Sequence, residues 1–310
     1  MSFPFSVLIP TYNRCDKLQK VLETLFRQEG IEVGEVIVGV DGSTDSTLEM
    51  LQDLNPLVSF SFFRIANSGR SVIRNRLLDA ARGDLILFIQ DDILVDQGWL
   101  QAHLAAQRKR EGAVVGHVTW YPGMEISEYM KWLENGGHML RFGDLRDGDQ
   151  IDFWRFYMGN ISFPRNFLGG QRFDETIRSY GWEDIVFGHE FERLGHPIFY
   201  SAGARAFHWD EYREEDLRAY MQQVGESAFL AEQRCPGVGF VPPLWKKMVF
   251  YFLIGAGRVT RPLLPQRWRW YLDMKRWFLE ACASSHSQGL LPQGYEYSKY
   301  KAYYYGYRVV

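Results

Sequence analysis

Apolar residues recur along the first hundred positions in two alternating rhythms. Unbroken apolar runs, Val7-Leu8-Ile9, Val36 to Val40, Phe60 to Ile65 and Leu85-Ile86-Leu87-Phe88-Ile89, read as buried strands. Between them lie segments of helical spacing. Lys17 to Arg27 places Leu18, Val21, Leu22 and Leu25 on one face; a second helix, capped by Ser43 or Thr44, runs to about Leu54; Ser71 to Ala81 offers Val72, Leu77, Leu78 and Ala81. Alternation of this kind predicts an α/β fold with a mostly parallel central sheet flanked by helices. Beyond residue 110 the rhythm weakens. Val114 to Trp120 and Gly159 to Phe163 read as strands, Asp184 to Leu194 as a helix, and Ile198 to Tyr200 and Ala204 to His208 as two short extended pieces. Pro236, Gly237, Gly239, Pro242 and Pro243 mark a boundary.

Chemistry gathers at the predicted strand ends. The second strand runs into Asp41-Gly42-Ser43-Thr44-Asp45, and the central strand Leu85 to Ile89 is followed by Gln90, Asp91 and Asp92. In open α/β sheets ligands collect outside the carboxyl ends of the strands, so Asp41, Asp91 and Asp92 form a candidate site if these strands are neighbours. Adjacent acids also mark solvated turns, and the Asp-Asp pair alone does not decide.

Composition narrows the classes. With 310 residues, 46% hydrophobic and 24% charged, the chain has material for a sizeable core. Met1 to Phe5 run straight into Ser6-Val7-Leu8-Ile9 with neither a basic region nor a cleavage site, so no signal peptide is expected. Cys15, Cys235 and Cys282 lack ligand spacing, which fits a reducing, cytoplasmic setting. The net charge of -3 conceals an asymmetry: residues 240–280 carry eight Lys and Arg against Asp273 and Glu280, together with ten aromatic residues. No nucleic-acid-binding motif accompanies that segment, and nucleic acid is not an expected partner.

Four motifs in register change the weight given to the acids: Ser6-Val7-Leu8-Ile9-Pro10-Thr11-Tyr12-Asn13-Arg14; Val38 to Asp45; Arg74-Asn75 through Ala81-Arg82-Gly83-Asp84; and Phe88-Ile89-Gln90-Asp91-Asp92. In order and spacing they resemble the family 2 glycosyltransferases. The resemblance implies a GT-A fold, a nucleotide-sugar donor, and donor contacts from Pro10, Thr11, Asn13, Asp41, Gln90 and Asp91, with Arg70 or Arg74 near the base or diphosphate. It also implies a divalent cation, Mn2+ or Mg2+, held by Asp92 with help from Asp91 and His208; such a cation suits a leaving diphosphate. Gln90 departs from the usual acid-x-acid signature, since it stands where the first Asp is common, and an amide binds a hard cation more weakly than a carboxylate.

The second half adds Met158-Gly159-Asn160-Ile161-Ser162-Phe163-Pro164-Arg165, Arg172-Phe173-Asp174-Glu175, Gly181-Trp182-Glu183-Asp184 and Ala206-Phe207-His208. These look like the acceptor-side half of inverting family 2 enzymes and of related galactosyltransferases. By that likeness Asp184 is the general base and Glu183 an acceptor ligand, or the reverse, with Trp182 and Asn160 at the acceptor. Each has a plainer reading. Acids favour a helix's first turn, a Trp after Gly is often core packing, and a lone His is often structural.

The expected organisation is a catalytic domain over 1–235, with a donor half (1–110) and an acceptor half (111–235), and a basic aromatic helical extension over 236–310. The expected reaction is inverting transfer from a nucleoside diphosphate sugar, a UDP sugar first, to a hydroxyl of a glycan or lipid-linked glycan. Residues 245–278 are too short in apolar run to span a bilayer. They read either as an interfacial helix at the inner face of the membrane or as a helix packed on protein. Two rivals stand beside this reading. A nucleotidyltransferase would carry glycine in the loop after strand one, which Pro10 to Arg14 lacks; a non-catalytic carbohydrate-binding protein is favoured by Gln90 and opposed by Glu183-Asp184.

Overall fold

A computed structural model of the chain describes residues 3–135, 139–178, 180–240 and 264–287. The first half follows the predicted alternation: β1 (Phe3–Thr11), α1 (Cys15–Leu25), β2 (Glu35–Asp41), α2 (Thr47–Asp53), β3 (Ser59–Ile65), α3 (Arg70–Ala80) and β4 (Gly83–Ile89). A short β5 (Ile93–Val95), α4 (Trp99–Lys109), β6 (Ala113–Trp120), α5 (Glu128–Asn135), β7 (Gln150–Ile151), β8 (Asn160–Pro164), α6 (Glu183–Arg193), β9 (Ile198–His208), α7 (Leu217–Arg234) and α8 (Gln266–Ser287) complete the described order.

The strands form one sheet in the order β3-β2-β1-β4-β8-β6-β9-β5, with β7 on β9. The pairs β3-β2, β2-β1 and β1-β4 are parallel, and β8 then runs antiparallel to both β4 and β6. Connections proceed from β1 outward to β2 and β3 and return to place β4 on the other side of β1. The direction of winding therefore reverses between β1 and β4, and the crevice outside their carboxyl ends is where an open α/β sheet binds ligands. Val7, Leu8, Ile9, Val36, Val38, Leu87, Phe88 and Ile89 are fully enclosed, as expected of strands covered on both faces.

At the opposite end of the same strands a buried carboxylate fixes the register. Glu35 accepts from Ser6 Oγ at 2.6 Å, from the Arg82 amide at 2.7 Å and from the Arg82 guanidinium at 2.8 Å and 3.0 Å. Ser6 Oγ in turn accepts from the Gly83 amide at 2.8 Å, so β1, β2 and β4 start from one network.

Three local readings differ. Ser43 and Thr44 do not cap α2; its N-cap is Ser46, which makes no side-chain cap bond, and Asp45 just before it accepts from the Thr47 amide at 3.2 Å and from its hydroxyl at 2.5 Å. The two pieces predicted over 198–208 are one strand, β9, whose pairing with β6 shifts register between Gly116 and Val118. Asn160 was expected at the acceptor and is instead an enclosed hub. Its Oδ1 accepts from Trp99 Nε1 at 2.7 Å and pairs with His103 Nε2 at 2.9 Å, while Nδ2 donates to the carbonyls of His117 and Ala204. Two acceptor and two donor positions are all an asparagine side chain has, and all four are used inside the protein.

That hub has a pH signature. His103 Nδ1 lies 2.9 Å from Ser162 Oγ, and burial lowers its pKa to about 4 from 6.5, opposed by the bond to Asn160. Between those values the unfolded chain takes up a proton that the folded chain refuses. Stability is thus intact above pH 6.5 and falls as the pH drops toward 4, by about 3 kcal/mol if no other group compensates. Urea unfolding from pH 7 to 4.5 is expected to show this loss, and His103→Gln, less stable at pH 7, to show a flatter profile over the same range.

The chain divides into two compact units, one of residues 1–178 and 184–211, the other of 179–183 and 212–310. The composition break at 236 falls inside the second unit, just after α7. In that unit α7 and α8 pack on each other. Trp270, Met274, Phe278 and Leu279 of α8 are buried there with Met221, Ala228 and Phe229 of α7, while Trp268 of the same helix is exposed. This packing agrees with the alternative of a helix packed on protein for 264–278, and 245–263 lie outside the described residues. Among the described residues no helix is long and apolar enough to cross a membrane.

Candidate active site

The turns leaving β1, β2 and β4 are tied to one another by short polar bonds. Asn13 sits in the left-handed region at φ 51°, which asparagine tolerates better than most residues. Its amide donates to Ser43 Oγ at 2.9 Å and its Oδ1 accepts from the Thr44 amide at 2.7 Å. The two loops are clasped by the residue expected to touch the donor. Gly42, at φ 76°, makes the bend after β2 possible, since a Cβ there would lie 2.5 Å from the Asn67 amide.

Asp41, at the end of β2, accepts from the Ser68 amide at 2.7 Å and the Gly69 amide at 2.9 Å. It thereby sets the loop that starts α3 at Arg70. The Arg70 charge is felt by Asp91, whereas Arg74, one helical turn on, is buried with its guanidinium 5.4 Å from the Phe173 ring centre. Arg74 is packed in the core, whereas Arg70 acts on Asp91 through its charge. Pro10 and Thr11 close β1, with the Thr11 hydroxyl beside Asp91.

Asp91 and Asp92 lie in the turn between β4 and β5, both buried. Backbone pairing places His208 opposite Ile93, and the Trp209 amide donates to the Asp92 carbonyl at 2.7 Å, so the end of β9 is bonded to the acid turn. Arg14 bonds to Asp92 Oδ2, lies 3.6 Å from Asp91 and reaches Asp210 at 3.2 Å; Lys17 also binds Asp210. Burial, with the charge of Asp92 next, pushes the Asp91 pKa up to about 6 against Arg14, Thr11 and Arg70. Burial opposes ionisation of Asp92 as well, but His208, Arg14 and Lys17 outweigh it and hold that carboxyl below its usual range. His208 is lowered by burial, with Asp92 and Asp210 acting the other way.

On the other stretch, Gly181 and Trp182 have φ of 97° and 71°, and α6 begins at Glu183 directly after them. A bulky residue at positive φ is uncommon and marks a site held by its surroundings. Trp182 Nε1 donates to the Val224 carbonyl at 2.8 Å and its ring meets Phe240 edge-on at 5.3 Å, both within the second unit. Glu183 is buried; Asp184 is half-exposed, its Oδ1 accepting from the Ile185 amide at 2.9 Å.

Residues 6–167, just over half of the chain, match Glycosyl transferase family 2. The chain belongs to this family. Among its relatives is an uncharacterized glycosyltransferase, YfnE, of Bacillus subtilis, 28% identical over 61% of this chain; the chain spans 60% of that relative's length. A mannosyltransferase of Pyrobaculum calidifontis, in complex with GDP-Man and Mn2+, has a TM-score of 0.63 at 13% identity, covering 93% of this chain and 88% of its own. S. aureus TarS 1-349 in complex with UDP has a TM-score of 0.54 at 17% identity, covering 93% and 92%. At such identities the likeness is one of fold, the GT-A fold expected from the motifs.

A family 2 site raises the question of a divalent cation. The donor set fits one. Asp92 Oδ1 is buried with no hydrogen-bond partner, although a buried carboxylate oxygen normally has one, and the His208 imidazole is brought beside it through β9. Among the described residues no three His, Cys, Asp or Glu side chains gather into a complete ligand cluster. Two protein donors suffice where substrate phosphates supply the remaining oxygens, as is usual for Mg2+.

Arg14, Lys17 and Asp210 went unassigned in the sequence. A signal for them exists: Arg14 and Lys17 are one helical turn apart, and Asp210 follows His208 by two, the spacing that returns to the same side of a strand.

Proposed function

We propose that this protein moves a sugar from a nucleoside diphosphate donor, a UDP sugar first, to a hydroxyl of a glycan or glycolipid with inversion at the anomeric carbon. The observation that carries the reading is the meeting of Thr11, the Asp41-held loop, Arg70, Asp91, Asp92 and His208 at the reversal point of the sheet. Family membership supports it, as do fold relatives whose complexes contain UDP or GDP-Man.

In this reading Thr11, Pro10, Asn13 and Asp41 shape the nucleoside pocket, Arg70 faces the diphosphate, and Asp91 contacts the ribose or the cation. Asp92 and His208 would hold a divalent cation, which would supply positive charge for the leaving diphosphate. Asp184, seated at the start of α6, takes the proton of the acceptor hydroxyl. The freed oxygen forms a bond to C1 as the C1–O bond to the β-phosphate breaks, and that electron pair leaves on the nucleoside diphosphate. Attack from the face opposite the leaving group inverts the configuration. Glu183 orients the acceptor, and Trp182 offers its flat face to a sugar ring.

A panel of UDP and GDP sugars, incubated with the protein and Mn2+ and assayed for nucleoside diphosphate release, tests the proposal. Release from one nucleotide class, raised by a glycan acceptor and lost on chelation, is the expected result. Tight binding of a nucleotide sugar without any release would favour the non-catalytic reading that Gln90 invites, and no binding of either class would overturn the donor site.

A further inference from the structure

Gln90 closes β4 at the place where the family resemblance leads one to expect a carboxylate, and its surroundings give the substitution a direction. Tyr157 Oη donates to Gln90 Oε1 at 3.2 Å. Among the described residues the Gln90 amide nitrogen has no partner. With its oxygen engaged, the side chain offers two N–H donors beside Asp91, where a carboxylate could only accept.

The backbone is shaped to keep Tyr157 in place. Gly159, two residues on, has no side chain where the tyrosine ring lies: a Cβ at 159 would stand 2.4 Å from Tyr157 Cζ and 2.5 Å from its hydroxyl oxygen. On another side the ring meets buried Phe142, centre to centre at 6.3 Å. The Met158-Gly159-Asn160 segment thus does two jobs. Asn160 locks the core, and Gly159 lets the phenol fold back to the end of β4.

We propose that Tyr157 is a positioning residue that holds the Gln90 amide with its N–H groups toward the bound donor, so that position 90 recognises an acceptor oxygen of the nucleoside diphosphate. The inference rests on the donor-site reading above. Two sources supply such an oxygen, a ribose hydroxyl and a phosphate, and both belong to the same ligand.

Calorimetric titration of UDP with Mn2+ into the wild type, Tyr157→Phe, Gln90→Ala and the double variant tests it. Tyr157→Phe removes one hydroxyl and is expected to weaken UDP three- to tenfold with thermal unfolding little changed. Gln90→Ala is expected to cost at least as much, and the double variant no more than Gln90→Ala alone, because the tyrosine acts only through the amide. Gly159→Ala, where it folds, is expected to reproduce Tyr157→Phe. Repeating the Gln90→Ala comparison with 2′-deoxy-UDP and 3′-deoxy-UDP names the oxygen: a cost that vanishes with one analogue assigns that ribose hydroxyl, and a cost unchanged with both assigns a phosphate. Undiminished UDP affinity in Tyr157→Phe, or full additivity in the double variant, overturns the inference while leaving the donor site standing. A wild type that binds no UDP or GDP overturns both.

Discussion

Replacing Asp184 with asparagine is expected to lower the rate of sugar transfer by a factor on the order of 10² to 10⁴, the range supplied by a positioned general base, with UDP affinity unchanged. The two readouts separate because Asp184 is assigned to the acceptor hydroxyl and not to the nucleotide. Local structure survives the change: the Oδ1 that accepts from the Ile185 amide has a counterpart in asparagine, so the first turn of α6 keeps its bond. Loss of turnover with an unaltered unfolding midpoint would therefore report chemistry and not a damaged helix. Glu183→Gln serves as the comparison. If Glu183 only orients the acceptor, its variant raises the acceptor KM and spares most of kcat; if the effects are reversed, with Glu183→Gln abolishing kcat and Asp184→Asn raising KM, the roles are exchanged. Equal and small effects in both variants would remove the base from this pair altogether.

The parts of the fold that could be read in advance are those where one physical rule acts alone. Val7 to Ile9 and Leu85 to Ile89 are apolar without a break because helices cover both faces of the parallel strands, and no loop or surface helix has that pattern. Helix α4 was not legible. Its inner face carries Trp99 and His103, a polar-looking residue buried at 0% exposure because Asn160 and Ser162 satisfy it, and such partnership is invisible until the elements meet. The same physics misdirected the reading of Asn160: a motif supplies the residue, but only packing says whether an amide faces a ligand or a core. At the site, the acids Asp41, Asp91 and Asp92 were legible because strand ends announce them. Their counterions were not, because Arg14, Lys17 and Asp210 are brought together over some two hundred residues of chain.

Asp92→Asn is expected to abolish the part of UDP binding that depends on Mn2+, a loss of about a hundredfold or more in affinity, roughly 3 kcal/mol. The argument turns on one side chain with two unlike oxygens. Oδ2 is taken by Arg14, while Oδ1 is buried and unbonded, so the carboxylate carries a charge only half satisfied by protein. An amide at this position loses the charge and puts a weaker donor, or an N–H group, where a hard cation would bind. Folding is expected to suffer less, since Arg14 keeps Asp210 and Asp91 as partners. Arg14 then becomes the second arm of the experiment. Its guanidinium is a positive charge already placed on Asp92, and any cation entering there has to share that carboxylate with it. At an effective dielectric of about 20, a divalent ion and a guanidinium 4 Å apart repel by about 8 kcal/mol; with Arg14 one-third exposed, solvent screening reduces this to about 1 kcal/mol. Arg14→Met is accordingly expected to bind Mn2+ alone about fivefold more tightly than the wild type, followed by the loss of the free-ion electron paramagnetic resonance signal. Unchanged Mn2+ affinity in Arg14→Met, together with undiminished UDP binding in Asp92→Asn, would place the cation elsewhere and leave the Arg14-Asp92-Asp210 cluster as an ion-pair network that holds the β4–β5 turn to α1.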